Sequence, residues 1–239
     1  MNFRYSRLPR FVWIALLLPA ASWSANNQDA IGMYAYQGGS APQIEWQSYE
    51  AQSPSPCVGK MASESVEVGF KSYWDWSDMA KRKGYSDKGV KSKFVESERA
   101  LRYAVVDLGC DDPLVNYRYA VILSMRKKHK EALRFIGPSL TGIEQHYPRF
   151  LPMVLNRYSK VAFQVGNLDE DIRAKRLILN ILPNDASTML NLANRLVGRG
   201  EEPDLVEAEN LLEKAKRVGL SDYGKRVFYS LEEKMADKP

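Results

Sequence analysis

The apolar residues of the chain recur along most of its length at the spacing of amphipathic α-helices. The clearest segment runs from Phe94 to Leu108, where they follow one another at intervals of three, four and seven. Gly109 then stands where a left-handed residue ends a helix, and Asp112 and Pro113 supply an N-cap and a first-turn proline for the next one. Residues 221–235 have the pattern of a closing amphipathic helix. The pattern therefore predicts an all-α fold.

The helical pattern is missing from the first part of the chain. Residues 25–65 contain a pair of adjacent glycines and three prolines among many Ser, Gln and Asn residues. These are loop and turn signals. We therefore expect an irregular N-terminal arm over residues 25–65 and a helical domain over residues 66–239.

Aromatic residues are concentrated at the start of this helical domain, in the segment FKSYWDWSDMAKRKG. Within it, Ser77 is a candidate N-cap for a helix whose last turn is basic and which stops before Gly84. The rings predict a hydrophobic plug that seals one end of a helical stack, and the alternative is a stacking platform for sugars or bases. The aromatic cluster consists of Phe70, Tyr73, Trp74 and Trp76.

The segment DDPLVNYRYAVILSMRKKHKEALRF resembles the tetratricopeptide-repeat (TPR) family. In that family a unit of about 34 residues forms two antiparallel helices, with small residues where the helices cross. With Pro113 as the first position, Ala120 and Ala132 occupy the two crossing positions. Lys127 departs from the family, which usually has glycine at this turn.

Two further units follow the same pattern. The second starts at Pro152 and has Gly166 at its turn, and the third starts at Ala186 and has Gly200, 34 residues after Gly166. In the second unit the crossing positions hold Ser159 and Asp171. In the third unit they hold Ala193 and Ala208, and an insertion that contains Pro203 precedes Ala208. An aspartate at such a position departs from the family pattern. The resemblance implies a short TPR-like α-solenoid of antiparallel helix pairs.

Helix breakers separate the first two units. Pro138, Gly142 and Pro148 fall within a stretch that is longer than a repeat turn requires. We expect the helix to stop near Pro138, with only a short helical turn over residues 142–146.

The first residues have the pattern of a secretory signal peptide. Three arginines precede an apolar stretch over residues 11–21, which is too short to span a membrane stably. Small residues at Ser22 and Ser24 predict cleavage before Ala25, and cleavage after Ser22 is an alternative. We expect residues 1–24 to be removed and the mature protein to be periplasmic or secreted, without a membrane span. The alternative is an uncleaved amphipathic or membrane-anchoring helix.

The net charge argues against a nucleic-acid function. The chain has a formal charge of +5, of which three charges belong to the arginines of the predicted signal, so the mature chain is at +2. A near-neutral chain lacks the attraction for polyanions that nucleic-acid and membrane-surface proteins use. We therefore expect no nucleic-acid partner.

The two cysteines are Cys57 and Cys110. In an oxidising compartment an even pair predicts a disulfide. It would close a loop of roughly 50 residues and stabilise the fold by about 4 kcal/mol. Two buried free thiols are the alternative.

No motif of a known catalytic centre occurs in the sequence. It lacks His-Glu-x-x-His, Gly-x-Ser-x-Gly, a phosphate-binding glycine loop and Cys-x-x-Cys. The acidic run 169–171 suits a solvated helix start better than a metal site, since acids favour that end of the helix dipole. The basic run 126–130, which includes His129, suits a solvated turn, with an anionic partner as the alternative. We expect neither enzymatic activity nor a cofactor.

The resemblance also predicts where a partner would bind. In TPR proteins the first helix of each pair lines the concave face and contacts peptides. A mixture of amides and cations there suits an extended peptide backbone and an acidic side chain or C-terminus. The alternative is that these side chains are merely solvated, or covered by the N-terminal arm. Carried over by position, the predicted set is Tyr117, Val121 and Met125 in the first unit, Asn156, Lys160 and Gln164 in the second, and Asn194 in the third, with Arg157 and Asn191 as neighbours.

Together these observations predict a periplasmic module that binds a protein or peptide partner, of an immunity or envelope-assembly type. Stacked helix pairs offer an extended binding surface and need no reaction centre. The alternative function is a cell-wall glycan-binding or glycan-processing accessory that uses the Tyr73–Trp76 rings.

Overall fold

The protein is described by a computed structural model that covers Cys57 and residues 59–236, and these residues form nine α-helices and no β-strand. Consecutive helices pack against each other in pairs, which stack in chain order. The predicted all-α fold is confirmed. The predicted signal peptide, and the predicted arm up to residue 56, lie outside the described residues.

Four helix pairs and a closing helix make up the stack. The pairs are α1 (Lys60–Lys83) with α2 (Lys88–Arg102), α3 (Pro113–Met125) with α4 (His129–His146), α5 (Leu151–Gln164) with α6 (Leu168–Ile181), and α7 (Ala186–Arg199) with α8 (Glu202–Val218). The closing helix α9 (Asp222–Ala236) packs against α7. A π-helical turn, Tyr103–Asp107, extends α2, and a 3-10 turn, Pro148–Phe150, leads into α5. We call α3, α5, α7 and α9 the first-helix row.

The helical domain starts earlier than its aromatic segment indicated. Helix α1 begins at Lys60, because Ala62, Val66 and Phe70 continue a buried stripe at helical spacing. The expected domain boundary at residue 66 is therefore wrong by six residues. Ser77 is not an N-cap and lies inside α1.

The signals that start and stop the helices in the middle of the chain are confirmed. The Asp112 carboxylate accepts hydrogen bonds from the backbone N–H groups of Leu114 and Val115, at 2.8 and 3.1 Å. Gly109 has a φ of 69°, in the left-handed region that favours glycine. Helix α1 ends before Gly84, as its basic last turn predicts.

The expected break in the second half of α4 is wrong. The helix continues through Pro138 and Gly142 to His146. Its buried face holds Ile136 and Ile143 in the core, and this packing outweighs the hydrogen bond that the proline removes. Gly142 is needed for close approach rather than for a break, because a Cβ atom there would lie 2.8 Å from Pro113.

The repeat register predicted from the sequence agrees with the burial of its small residues. Each of the four alanines predicted at helix crossings is exposed by 1% or less: Ala120, Ala132, Ala193 and Ala208. In the second unit, Ser159 of α5 donates a hydrogen bond to Asp171 of α6 across the same kind of crossing.

The turns between the paired helices also repeat. Lys127, Gly166 and Gly200 occupy the same place in three successive turns and all have a left-handed backbone, with φ of 61°, 82° and 79°. Lys127 is the one residue other than glycine with a positive φ among the described residues. A side chain with a Cβ atom is strained in this conformation.

The predicted disulfide between Cys57 and Cys110 is present, with the two Cα atoms 5.3 Å apart. It joins the start of α1 to the segment between α2 and α3. No helix among the described residues is long and apolar enough to cross a membrane.

We predict that Ala120→Leu destabilises the protein by about 1–3 kcal/mol, because the added methyl groups have no room between the packed helices. Urea unfolding followed by circular dichroism measures this effect. Lys128→Ala, on the exposed turn, is the control and should change the midpoint little. An unchanged midpoint for Ala120→Leu would show that the register is wrong.

We also predict that Lys127→Gly stabilises the protein by about 0.5–1 kcal/mol, because glycine relieves the left-handed strain and loses part of that gain through its larger unfolded-state entropy. The matched change in the next unit, Gly166→Ala, should destabilise it. The same unfolding measurement tests both variants. A loss of stability in Lys127→Gly contradicts the argument.

Candidate partner-binding surface

Helix α5 presents a polar face on the side opposite its core contacts. Val154, Leu155 and Val161 are buried, whereas Asn156, Lys160 and Gln164 follow one another at intervals of four on the opposite side. Among the described residues, none of these three side chains has a hydrogen-bond partner. Their donors and acceptors are available to a ligand.

Helix α7 continues this surface with two asparagines. Asn191 is exposed and donates a hydrogen bond to the backbone oxygen of Ser187, at 2.9 Å. Asn194 is half-buried and, within the described part of the chain, has no hydrogen-bond partner. Arg195 points toward α5, where its guanidinium carbon lies 3.5 Å from the centroid of the Phe163 ring.

A groove of about 380 Å³ separates α7 from α9 and includes both asparagines in its lining. Leu190, Val227 and Leu231 give it an apolar floor. Exposed side chains stand at its rim: Tyr223, Arg226, Ser230 and Lys234. Tyr223 is 70% exposed.

Two residues of the predicted set do not lie on this surface. Tyr117 and Val121 are buried, with 4% and 2% of their surface exposed, so as predicted contacts of a partner they are wrong. The reason is that α3 is apolar on nearly all sides, and such a helix is buried by its neighbours. Burial raises the pKa of the Tyr117 hydroxyl, although the neighbouring Arg157 opposes the shift.

Lys160 lies in an electrostatically unfavourable position. Partial burial lowers its pKa, and the positive charges of Arg157 and Lys175 lower it further. Arg157 and Lys160 are one turn apart on α5, and neither forms an ion pair with any carboxylate among the described residues. Like charges at this spacing destabilise a helix unless something compensates them.

A buried polar network connects α5, α6 and α7 beneath this surface. The Asp171 carboxylate has no exposed surface and accepts hydrogen bonds from Ser159, from Lys175 at 2.9 Å and from Arg195 at 2.8 Å. Lys175 also donates to the Ser159 hydroxyl. Burial lowers the pKa of Lys175, and Asp171 opposes that shift.

The expectation that the acidic run 169–171 is a solvated helix start is correct for Asp169 and wrong for Asp171. The Asp169 side chain is 84% exposed. Asp171 faces inward because it occupies the crossing position of the second unit.

Charge is segregated between the two helices of each of the last three pairs. Helices α4, α6 and α8 contain both acidic and basic residues, whereas α3, α5 and α7 contain no Asp or Glu. Their cations are Arg118, Arg157, Lys160, Arg195 and Arg199. This difference in charge can be read from the sequence. It predicts that the first helices of these pairs are cationic, which a position-by-position comparison with the TPR family does not.

Four of these five cations are engaged within the protein. Arg195 pairs with Asp171, and Arg199 donates to Asp204 at 2.6 Å. Arg118 is buried against Tyr73 and Trp74, with its guanidinium carbon 4.1 and 4.8 Å from the ring centroids. Arg157 is hydrogen-bonded to the buried Tyr117 hydroxyl. Lys160 is therefore the one of the five cations without a hydrogen-bond partner among the described residues.

The aromatic cluster of α1 is mostly buried, as a hydrophobic plug would be. Phe70 and Trp76 are each 7% exposed. Tyr73 and Trp74 are half-buried and hold Arg118, so the four rings do not form an open platform.

The basic run at the turn between α3 and α4 is partly engaged. Arg126 donates two hydrogen bonds to Glu98, at 2.9 and 2.7 Å, and its guanidinium lies over the Phe94 ring. Lys127, Lys128 and Lys130 are exposed. These lysines lie on the turn and are not part of the polar surface of α5 and α7.

We predict that Lys160→Met raises the melting temperature. Because the pKa of Lys160 is lower in the folded chain than its ordinary value of 10.5, its charge costs stability at neutral pH. This cost disappears as the pH rises through the lowered pKa toward 10.5, so the gain should shrink in alkaline buffer. Thermal unfolding at several pH values measures it, with Lys214→Met on the exposed side of α8 as the control. A lower melting temperature for Lys160→Met at neutral pH would refute the argument.

Comparison of the sequence with known protein families and with curated proteins finds no match. A proposal about function therefore rests on the chain's own residues. They are the polar face of α5, the asparagines of α7 and the groove between α7 and α9.

Proposed function

We propose that this chain is an exported, TPR-like binding module whose first-helix row holds an extended segment of a protein partner. The observation that supports this is the row of side chains without hydrogen-bond partners among the described residues. Its members are Asn156, Lys160, Gln164 and Asn194, on two successive first helices. The proposal is one of binding and assigns no reaction to the chain.

Asparagine and glutamine suit this task because each amide has both donors and acceptors. An extended peptide exposes N–H and C=O groups along its backbone, and unpaired amide side chains bind such groups without regard to sequence. Cations beside them would select for acidic side chains or a C-terminal carboxylate.

The TPR-like assignment is supported by the repeated left-handed turn residues and by the buried small residues. Export is supported by the disulfide between Cys57 and Cys110, since such bridges persist in oxidising compartments. An immunity or envelope-assembly role fits this combination, because both require a stable exported protein that binds one partner.

The alternative, a glycan-binding accessory built on the aromatic cluster, has less support. Sugar recognition of that kind needs exposed ring faces, and Trp76 is buried. Tyr73 and Trp74 already stack on Arg118.

Photo-crosslinking in cells tests the binding surface. A benzoylphenylalanine at Gln164 or Asn191, both exposed, should trap the partner as a discrete adduct. The same group at Glu209 or Lys214, exposed on α8, is the control and should not.

Mass spectrometry of the adduct identifies the partner. Substituting Asn156, Lys160 and Asn194 together by alanine should weaken the adduct formed from Gln164 or Asn191. Two outcomes would contradict the proposed surface. One is that the α8 positions give as much adduct as Gln164 and Asn191. The other is that the triple variant is folded, with the circular dichroism spectrum of the parent, and still forms as much adduct.

A further inference from the structure

We propose that residues 44–52 of the N-terminal arm, which lie outside the described residues, pack on the face of α3 that carries Tyr117 and Val121. The chain itself then occupies the first unit's part of the first-helix row, and the surface open to a partner begins at α5. This inference goes beyond the proposed function and does not depend on it. It follows from the burial of α3, the position of the disulfide and the composition of the arm.

The first observation is that α3 is buried where its counterpart α5 is not. Tyr117 and Val121 of α3 occupy the same repeat positions as Asn156 and Lys160 of α5. Tyr117 and Val121 have 4% and 2% of their surface exposed, whereas Asn156 is half-buried and Lys160 is exposed. Equivalent faces of successive repeats therefore differ in how far they are covered.

The described neighbours of α3 do not explain this difference. Helices α3 and α5 each pack against their own pair partner, against the preceding second helix and against each other. Helix α2 packs on α3 less closely than α4 packs on α5, so α3 would be expected to be the more open of the two. Because these exposed fractions are those of a single chain, the additional cover comes from the same chain rather than from a partner or a second copy.

The disulfide places the end of the arm beside the start of α3. Cys57 is bonded to Cys110, with the two Cα atoms 5.3 Å apart, and α3 begins at Pro113, three residues after Cys110. Three residues span at most about 11 Å, and Val121 lies about 12 Å further along the helix. An extended chain advances about 3.3 Å per residue, so about nine residues before Cys57 suffice to reach Val121. Residues 44–52 begin thirteen residues before Cys57 and end five before it, and so include this distance.

The side chains of this segment suit an apolar face. The sequence of residues 44–52 is IEWQSYEAQ, in which Ile44, Trp46 and Tyr49 are large and apolar or aromatic. Aromatic rings bury a large area and pack well against other rings and aliphatic side chains. Trp46 and Tyr49 would therefore cover Val121 and the ring of Tyr117.

The charge of the arm has the sign that this face attracts. Residues 25–56 contain Asp29, Glu45 and Glu50 and no Lys or Arg, so their formal charge is −3. Helices α3 and α5 contain Arg and Lys but no Asp or Glu. Opposite potentials on the two surfaces favour their contact and fix its orientation.

Hydroxyl-radical footprinting of the intact exported protein tests this inference. Oxidation of Tyr117, measured by mass spectrometry, should be slow in the parent and should rise severalfold when Trp46→Ser and Tyr49→Ser are combined. Tyr34→Ser with Tyr36→Ser is the matched control, because these aromatic residues belong to the same arm but lie more than twenty residues before Cys57. It should leave Tyr117 protected. Tyr223, which is 70% exposed, is the internal reference and should be oxidised equally in all three chains.

Intramolecular photo-crosslinking is a second measurement that leaves the rest of the arm unchanged. A benzoylphenylalanine at Tyr49 should link, within the monomer band, to one of the two tryptic peptides that contain α3, Tyr103–Arg118 or Tyr119–Arg126. The disulfide is reduced before digestion, so that only the new link joins the peptides. The same group at Tyr223 on α9 is the control and should not link to them.

The inference is overturned if the folded Trp46 and Tyr49 variant keeps Tyr117 as protected as in the parent, or if the Tyr34 and Tyr36 variant exposes it equally. It is also overturned if the group at Tyr49 forms no link to α3, or links to it only in a dimer, which would assign the cover to a second copy. Should the Trp46 and Tyr49 variant fail to fold, the crosslink decides alone. Partner adducts from Gln164 and Asn191 test the proposed function separately.

Discussion

The buried carboxylate of Asp171 determines how the middle of the stack is held together. Taking a charge out of water costs several kcal/mol, and the cost is recovered only when hydrogen bonds and opposite charges surround it. Here Ser159, Lys175 and Arg195 do so, and they belong to α5, α6 and α7. The alignment of α5 with α7, the helices that carry the proposed surface, depends on this one group.

The same carboxylate explains why the surface is left cationic. Lys175 and Arg195 use both oxygens of Asp171, and α5 and α7 themselves contain no acidic residue. The positive charge of Arg157 contributes to lowering the pKa of Lys160 on α5. Removing an unfavourable charge of this kind is a common way to stabilise a protein, and its usual cost is a loss of function where the charge serves a site.

Much of the fold could be predicted because its signals are local. The Asp112 cap, the left-handed turns and the crossing alanines depend on neighbours along the helix or in its pair. The predicted break near Pro138 was wrong because it depends on distant contacts. Helix α4 continues past Pro138 because its C-terminal half packs on the core. Of the predicted surface, the α5 and α7 residues are accessible, whereas Tyr117 and Val121 are covered on a helix that has core on almost every side.

The core divides into two main clusters that meet at α6, where Ile178 belongs to the α1–α6 cluster and Ile172 to the cluster of α7–α9. In a linear stack each element is stabilised only by its neighbours, and α9 packs chiefly against α7. Its backbone amides should therefore exchange with deuterium earlier than those of α3 or α5. Opening of α9 removes one wall of the groove while the opposite wall remains folded. On the proposed function, a ligand in this groove would couple its binding to the fraying of the last helix and would protect the end of the stack from proteolysis.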